Sequence, residues 1–167
     1  MRGTLIWTWL IAWGPPLAWG TLIWQLGSDG FSEPETRSFL GPLIAQLLPF
    51  LTAENIESLG WFVRKAAHPS VYGLLALLCW RGVELTLHTG RTGRRVWVLA
   101  PVVGLALADE SRQAFSAVRS GSGVDVLLDL AGGLVALLLL EKLTTCREQP
   151  LFGGRPSTSP PPSRPSV

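Results

Sequence analysis

Charge is scarce in this chain. Of its 167 residues only 16% are Asp, Glu, Lys or Arg, against about 25% in soluble domains. The formal net charge of +2 is too small for a nucleic-acid-binding surface, and no basic–aromatic repeat is present, so nucleic acid is excluded as a partner. Two cysteines, Cys79 and Cys146, lack metal-ligand spacing and predict neither a metal site nor a disulfide. No internal repeat is evident, which argues against a solenoid.

What fills the chain instead is apolar. Hydrophobic residues make up 47% of it and the mean hydropathy is +0.32. These figures predict an all-α fold: a small polytopic membrane bundle of four transmembrane helices with an extracytoplasmic interfacial segment. The expected spans are residues 5–26, 66–87, 96–115 and 124–140, within one domain, residues 1–146. Residues 147–167 form a Pro/Ser-rich tail that cannot bury a core, expected to be disordered and cytoplasmic.

The first apolar run has two readings. Arg2 and Ala18-Trp19-Gly20 suit a signal peptide with its cleavage site. Continuation of the run through Leu22, Ile23, Trp24 and Leu26 favours a retained span, kinked at Gly14-Pro15-Pro16. Eight tryptophans against one tyrosine, most of them near run ends, suggest interfacial anchors. Residues 27–65 form an acid-bearing connection. Within it Phe39–Leu51 is too short to cross and is broken by Pro42 and Pro49, so it should lie at the interface, as a lid or as a plain surface helix. Lys65, His68 and Tyr72 share one helical face, and Pro69 is tolerated best in a first turn. That places the start of the second span near Ala66–His68.

Lys and Arg in short loops favour the cytoplasm. Arg2, the Arg91/Arg94/Arg95 turn and Lys142/Arg147 then imply a multi-pass, N-in, C-in plasma-membrane protein. This orientation gathers Arg64, Lys65, His68, Asp109, Glu110, Arg112, Gln113, Arg119, Asp125 and Asp129 at the outer face. Charge inside a span costs at least about 2.5–3.5 kcal/mol per residue and marks a functional site by default. Asp109 with Gln113, and Asp125 with Asp129, are i, i+4 pairs. Gly132, Gly133 and Ala136 continue the second stripe, so that face should pack closely on its neighbours.

At these residues the chain resembles the VanZ-like membrane protein family. The matching pieces are Arg64-Lys65-x-x-His68-x-x-x-Tyr72, Asp109-Glu110-x-x-Gln113-x-Phe115 and Arg119-x-Gly121-Ser122-x-x-Asp125-Val126-x-x-Asp129-x-x-Gly132. They cover about residues 64–140. Pro69 stands where an aromatic commonly follows the histidine, and Asp129 where asparagine is common. The resemblance implies a bacterial envelope protein with a role in glycopeptide antibiotic tolerance, without defining a reaction.

Two functions suit these residues. In the first, a site binds or modifies an anionic, lipid-linked envelope molecule at the bilayer. Arg64, Lys65 and Arg119 would hold the anion. His68, Asp109, Glu110, Gln113 and Asp125 are the candidate catalytic residues, with Tyr72 and Asp129 in the supporting network. No cofactor is expected. The acids are hard donors that suit a divalent cation, but the nearby Arg112, Arg119 and Lys65 can neutralise them without metal. In the second, the same ion pairs only fix helix packing in a non-enzymatic structural protein. Lack of an inverted repeat argues against a transporter.

Overall fold

Helix boundaries follow local chemistry. The Thr52 hydroxyl accepts from the Asn55 N–H at 3.3 Å, satisfying one of the donors that a helix start leaves open. Gly90, in extended conformation, precedes the next-to-last helix. The computed structural model describes residues 2–28, 30, 33–115 and 123–148. They form α1 (Arg2–Leu26), α2 (Glu33–Leu47), α3 (Ala53–Thr86), α4 (Arg91–Ala114) and α5 (Gly123–Glu148). The fold is an all-α bundle of five helices.

α3 is the central element and packs on each of the other four. It begins well before residues 66–68 and runs straight through Pro69. The extra N-terminal turns are held by α2: Gly60 lies beneath Ile44, where a Cβ would stand 3.9 Å from the Ile44 side chain. Proline inside a helix forfeits one backbone hydrogen bond. Here the loss coincides with the closest helix contact, because a Cβ on Gly132 would overlap the Pro69 backbone. Gly73 faces the same turn of α5, and a Cβ there would stand 3.3 Å from the Gly132 carbonyl oxygen. A Cβ on Gly133 would reach 2.7 Å from a methyl of Val102 on α4. The small-residue stripe of α5 thus faces α3 and α4, as its spacing suggests.

Pairings along the helices fix their directions. Residues 65 and 68 meet 125 and 129, so α3 and α5 are parallel. Arg95 meets Glu141 and Arg94 meets Glu84, so α4 is antiparallel to both. α1 is antiparallel to α3: Arg81 donates to the Ile11 carbonyl, Trp13 to the Thr86 hydroxyl and Trp19 to the Val71 carbonyl, at 2.9–3.0 Å. The core between them contains Tyr72, Leu75, Ala76, Cys79, Val83, Val98, Val102 and Leu137. Trp80 is buried in it with the Arg94 guanidinium over its ring at 4.7 Å. Trp7, Trp61 and Trp97 are exposed, so the tryptophans divide between packing and surface.

One expectation is overturned here. Among the described residues a single helix is long and apolar enough to cross a membrane: the 24-residue stretch Gly123–Cys146 of α5. The four-span membrane bundle, and the multi-pass N-in, C-in placement built on it, do not hold. The reasons are compositional. The apolar character of α1 comes largely from tryptophans diluted by Gly14, Pro15, Pro16, Gly20 and threonines. α3 carries Arg64, Lys65 and His68 on one side of its apolar centre and Arg81 and Glu84 on the other. α4 begins with Arg91, Arg94 and Arg95 and ends with Asp109, Glu110 and Arg112, which leaves too short an apolar stretch between them. Most of Phe39–Leu51 forms the second half of α2 with Phe39 and Leu47 exposed, the surface helix that was one of its two expected forms. The tail, residues 149–167, lies outside the described residues.

The α3–α5 contact makes a quantitative prediction. Gly132→Ala should destabilise the fold by about 1–3 kcal/mol through overpacking, read as a lowered midpoint in thermal unfolding. Gly104→Ala, on an open face of α4, should be neutral or stabilising by about 0.5–1 kcal/mol.

Candidate functional site

The polar residues of three helices meet at one end of the bundle, beside the last turn of α1. On α3, spacings of three and four place Lys65, His68 and Tyr72 on one face. Lys65 forms an ion pair with Asp125. His68 Nδ1 lies 2.9 Å from Asp129 Oδ1, and its Nε2 is 3.9 Å from Asp125 Oδ2. Asp129 is buried, so its carboxylate needs such a partner. The i, i+4 spacing of Asp125 and Asp129 matches the i, i+3 spacing of Lys65 and His68 along parallel helices.

A second cluster joins α4 to α1. Asp109 and Gln113 are buried, 7% and 8% exposed. Asp109 accepts from Gln113 Nε2 and from an Arg112 guanidinium nitrogen, each at 2.6 Å. The same Arg112 nitrogen donates to the Trp24 carbonyl at 2.8 Å, and the guanidinium lies 4.1 Å above the Trp24 ring. Cation–π stacking and charge-assisted hydrogen bonds therefore hold one arginine against both helices. Gly27 makes this approach feasible, because a Cβ there would overlap the Asp109 carboxylate.

A cleft of about 230 Å³ lies beside the two clusters. Its polar wall is Arg64, His68, Tyr72, Asp109 and Gln113, together with Thr36 of α2, and its apolar wall includes Ile23 and Leu26 of α1 and Leu40 of α2. Arg64 donates to the Thr36 hydroxyl at 3.3 Å. Tyr72 is 2% exposed, and its hydroxyl has no hydrogen-bond partner among the described residues. Burial, reinforced by Asp129 and Asp109, pushes that hydroxyl far above the usual phenol range. It is therefore a neutral donor at any physiological pH.

The expected residues separate into groups. Arg64, His68, Tyr72, Asp109 and Gln113 line the cleft. Lys65, Asp125 and Asp129 stand behind it in the α3–α5 pairs. Glu110 is not among the lining residues; one residue after Asp109, it projects about 100° around the helix. Arg119, Gly121 and Ser122 lie outside the described residues. Asp109 is held by Arg112 while Asp125 and Asp129 are held by Lys65 and His68, so these acids do not form one donor set. Sequence reasoning missed Trp24, Gly27, Thr36 and Leu40. Of these only Gly27, a glycine directly following an apolar helix, carried a signal, that of a close approach.

Arg112→Ala should destabilise the fold by about 2–3 kcal/mol. That is below the ~3–5 kcal/mol for breaking a fully buried pair, because the Arg112 side chain is 30% exposed. Thermal unfolding measures it, and Asp109→Asn, which keeps one carbonyl acceptor for Arg112 and turns an NH₂ toward Gln113, whose amide can flip to accept it, should lose less.

Searches of curated proteins and of solved structures found no match to the chain. A family model described as VanZ/LLP1 matches residues 5–144, a stretch that contains every helix bordering the cleft. With nearly all of its described helical structure inside that match, the chain belongs to the VanZ/LLP1 family.

Proposed function

We propose that this VanZ/LLP1-family chain is a bacterial cell-envelope protein whose cleft binds the anionic head group of a lipid-linked envelope molecule, and that it contributes in this way to glycopeptide antibiotic tolerance. The observation that carries the reading is the Tyr72 hydroxyl, buried without a partner among the described residues, on a residue that shares the cleft wall with Arg64. An unsatisfied buried donor costs about 1–3 kcal/mol, a cost that a bound oxygen acceptor would remove. Arg64 supplies a guanidinium whose planar fork matches phosphate. His68, held at Nδ1 by Asp129, lines the same wall. Binding is favoured over turnover because Asp109, Asp125 and Asp129 are already engaged by Arg112, Lys65 and His68.

Those same engaged pairs favour a second reading, in which the network only fixes helix packing. Tyr72→Phe separates the two. Removing a hydroxyl that has no partner should leave stability equal or raise it by about 1 kcal/mol, while weakening a ligand that accepts from it. With a polyprenyl phosphate as probe and the full chain in detergent, Arg64→Gln should raise Kd roughly tenfold to a hundredfold, the equivalent of one charge-assisted hydrogen bond of about 1.5–3 kcal/mol. Tyr72→Phe should raise it severalfold with an unchanged or higher melting temperature. Unchanged Kd in both variants, or a Tyr72→Phe protein that unfolds more easily, would favour the packing role alone.

A further inference from the structure

A second concavity lies along the same three helices, one level further from the polar end. It is an apolar groove of about 430 Å³ between α1, α3 and α4, walled by Trp13, Leu17, Trp24, Leu75 and Leu105, with Pro16 and Pro101 beside them. Prolines inside both α1 and α4 perturb helix packing at this level. Cys79 at its wall is buried, and burial pushes the thiol up to about 11, so it presents an uncharged, apolar surface at neutral pH.

Position along the three helices links groove to cleft. On α1, Gly20 and Trp24 of the groove are followed on the same face by Gly27 of the cleft. On α3, which runs the other way, Cys79 and Leu75 of the groove are followed by Tyr72 and His68 of the cleft. On α4, Pro101 and Leu105 of the groove and Asp109 and Gln113 of the cleft form one i, i+4 row. Every step is about one helical turn. The two concavities are thus successive levels of one seam, apolar for about three turns and polar at its end. Trp24 marks the boundary: it lines the groove, while Arg112 of the polar end binds its carbonyl and stacks on its ring.

We propose that groove and cleft form one site for a single-chain amphiphile, with its hydrocarbon chain along α1 in the groove and its phosphate-bearing head in the cleft. This rests on the head-group reading above and adds the chain. One groove meets one cleft, which suits one chain and one head. Hydrocarbon buried there leaves water in proportion to its length, so the chain rather than the head would supply most of the affinity.

Gly20 offers the test. A Cβ there would make ordinary contact, 3.8 Å from Leu105 Cδ2, so Gly20→Leu extends a side chain into the groove and also favours helix. The probes are glycerol 3-phosphate and its monopalmitoyl ester, titrated into the full chain in maltoside detergent. The wild type should bind the ester at least tenfold more tightly than glycerol 3-phosphate. Gly20→Leu should bring that ratio close to one, while Gly104→Leu, on an open face of α4, should retain it. If Gly20→Leu does not fold, Thr21→Trp at the exposed rim of the groove makes the same test.

A ratio unchanged by the groove variants, or a ratio near one in the wild type, would overturn the groove and leave the cleft reading standing. A ratio lost in Gly20→Leu together with an ester affinity indifferent to Arg64→Gln would keep the chain site and overturn the head-group reading. Binding of neither probe would overturn both.

Discussion

The contact of Gly132 with the Pro69 backbone is the constraint on which the other features depend. A side chain at residue 132 would separate α3 from α5, and close-packed interiors transmit such a shift rather than absorb it. With the helices parallel and touching there, Lys65 falls opposite Asp125 and His68 opposite Asp129. These pairs lie one to two turns from the glycine. Proline in mid-helix, which forfeits a backbone hydrogen bond, is therefore tolerated where the neighbouring helix comes closest.

From that register follows the division between settled and unsettled polar groups. Asp109, Gln113 and Asp129 are buried, and each has partners: Arg112 and Gln113 hold Asp109, and His68 holds Asp129. Tyr72 sits between the two clusters, close enough for both Asp109 and Asp129 to act on its hydroxyl, yet bonds to neither. Tyr72 packs in the core, and it lines the cleft together with Arg64 and His68. The structure thus sets charge-paired acids beside a buried Tyr72 hydroxyl that has no partner among the described residues.

Much of this was legible in particular residues. The i, i+4 spacing of Asp125 and Asp129 and the stripe through Gly132, Gly133 and Ala136 pointed to a face packed on neighbours, and that face meets α3 and α4. The polar ends of α3, α4 and α5 were expected together, and His68 does meet Asp129. Four membrane spans were not supported, because hydrophobic runs were counted without weighing the tryptophans, glycines and prolines of α1 or the charges that close in on α3 and α4. The start of α3 was placed too late because Pro69 was read as a first-turn residue, when packing carries the helix through it. Glu110, next to Asp109 in the chain, does not line the cleft, because neighbouring residues on a helix point in different directions.

By itself the sequence determined the helical character, the spacing that puts each polar set on one helix face, and the family motifs. These are local properties, set by periodicities of three and four residues. Tertiary structure alone decided which acid pairs with which cation, that the end of α1 and the middle of α2 complete the cleft, and that the Tyr72 hydroxyl has no partner among the described residues. Those outcomes depend on interhelical distances of a few ångströms between residues as far apart as Trp24 and Arg112, or Thr36 and Arg64. No local pattern encodes such distances, because they emerge only when all the helices pack at once.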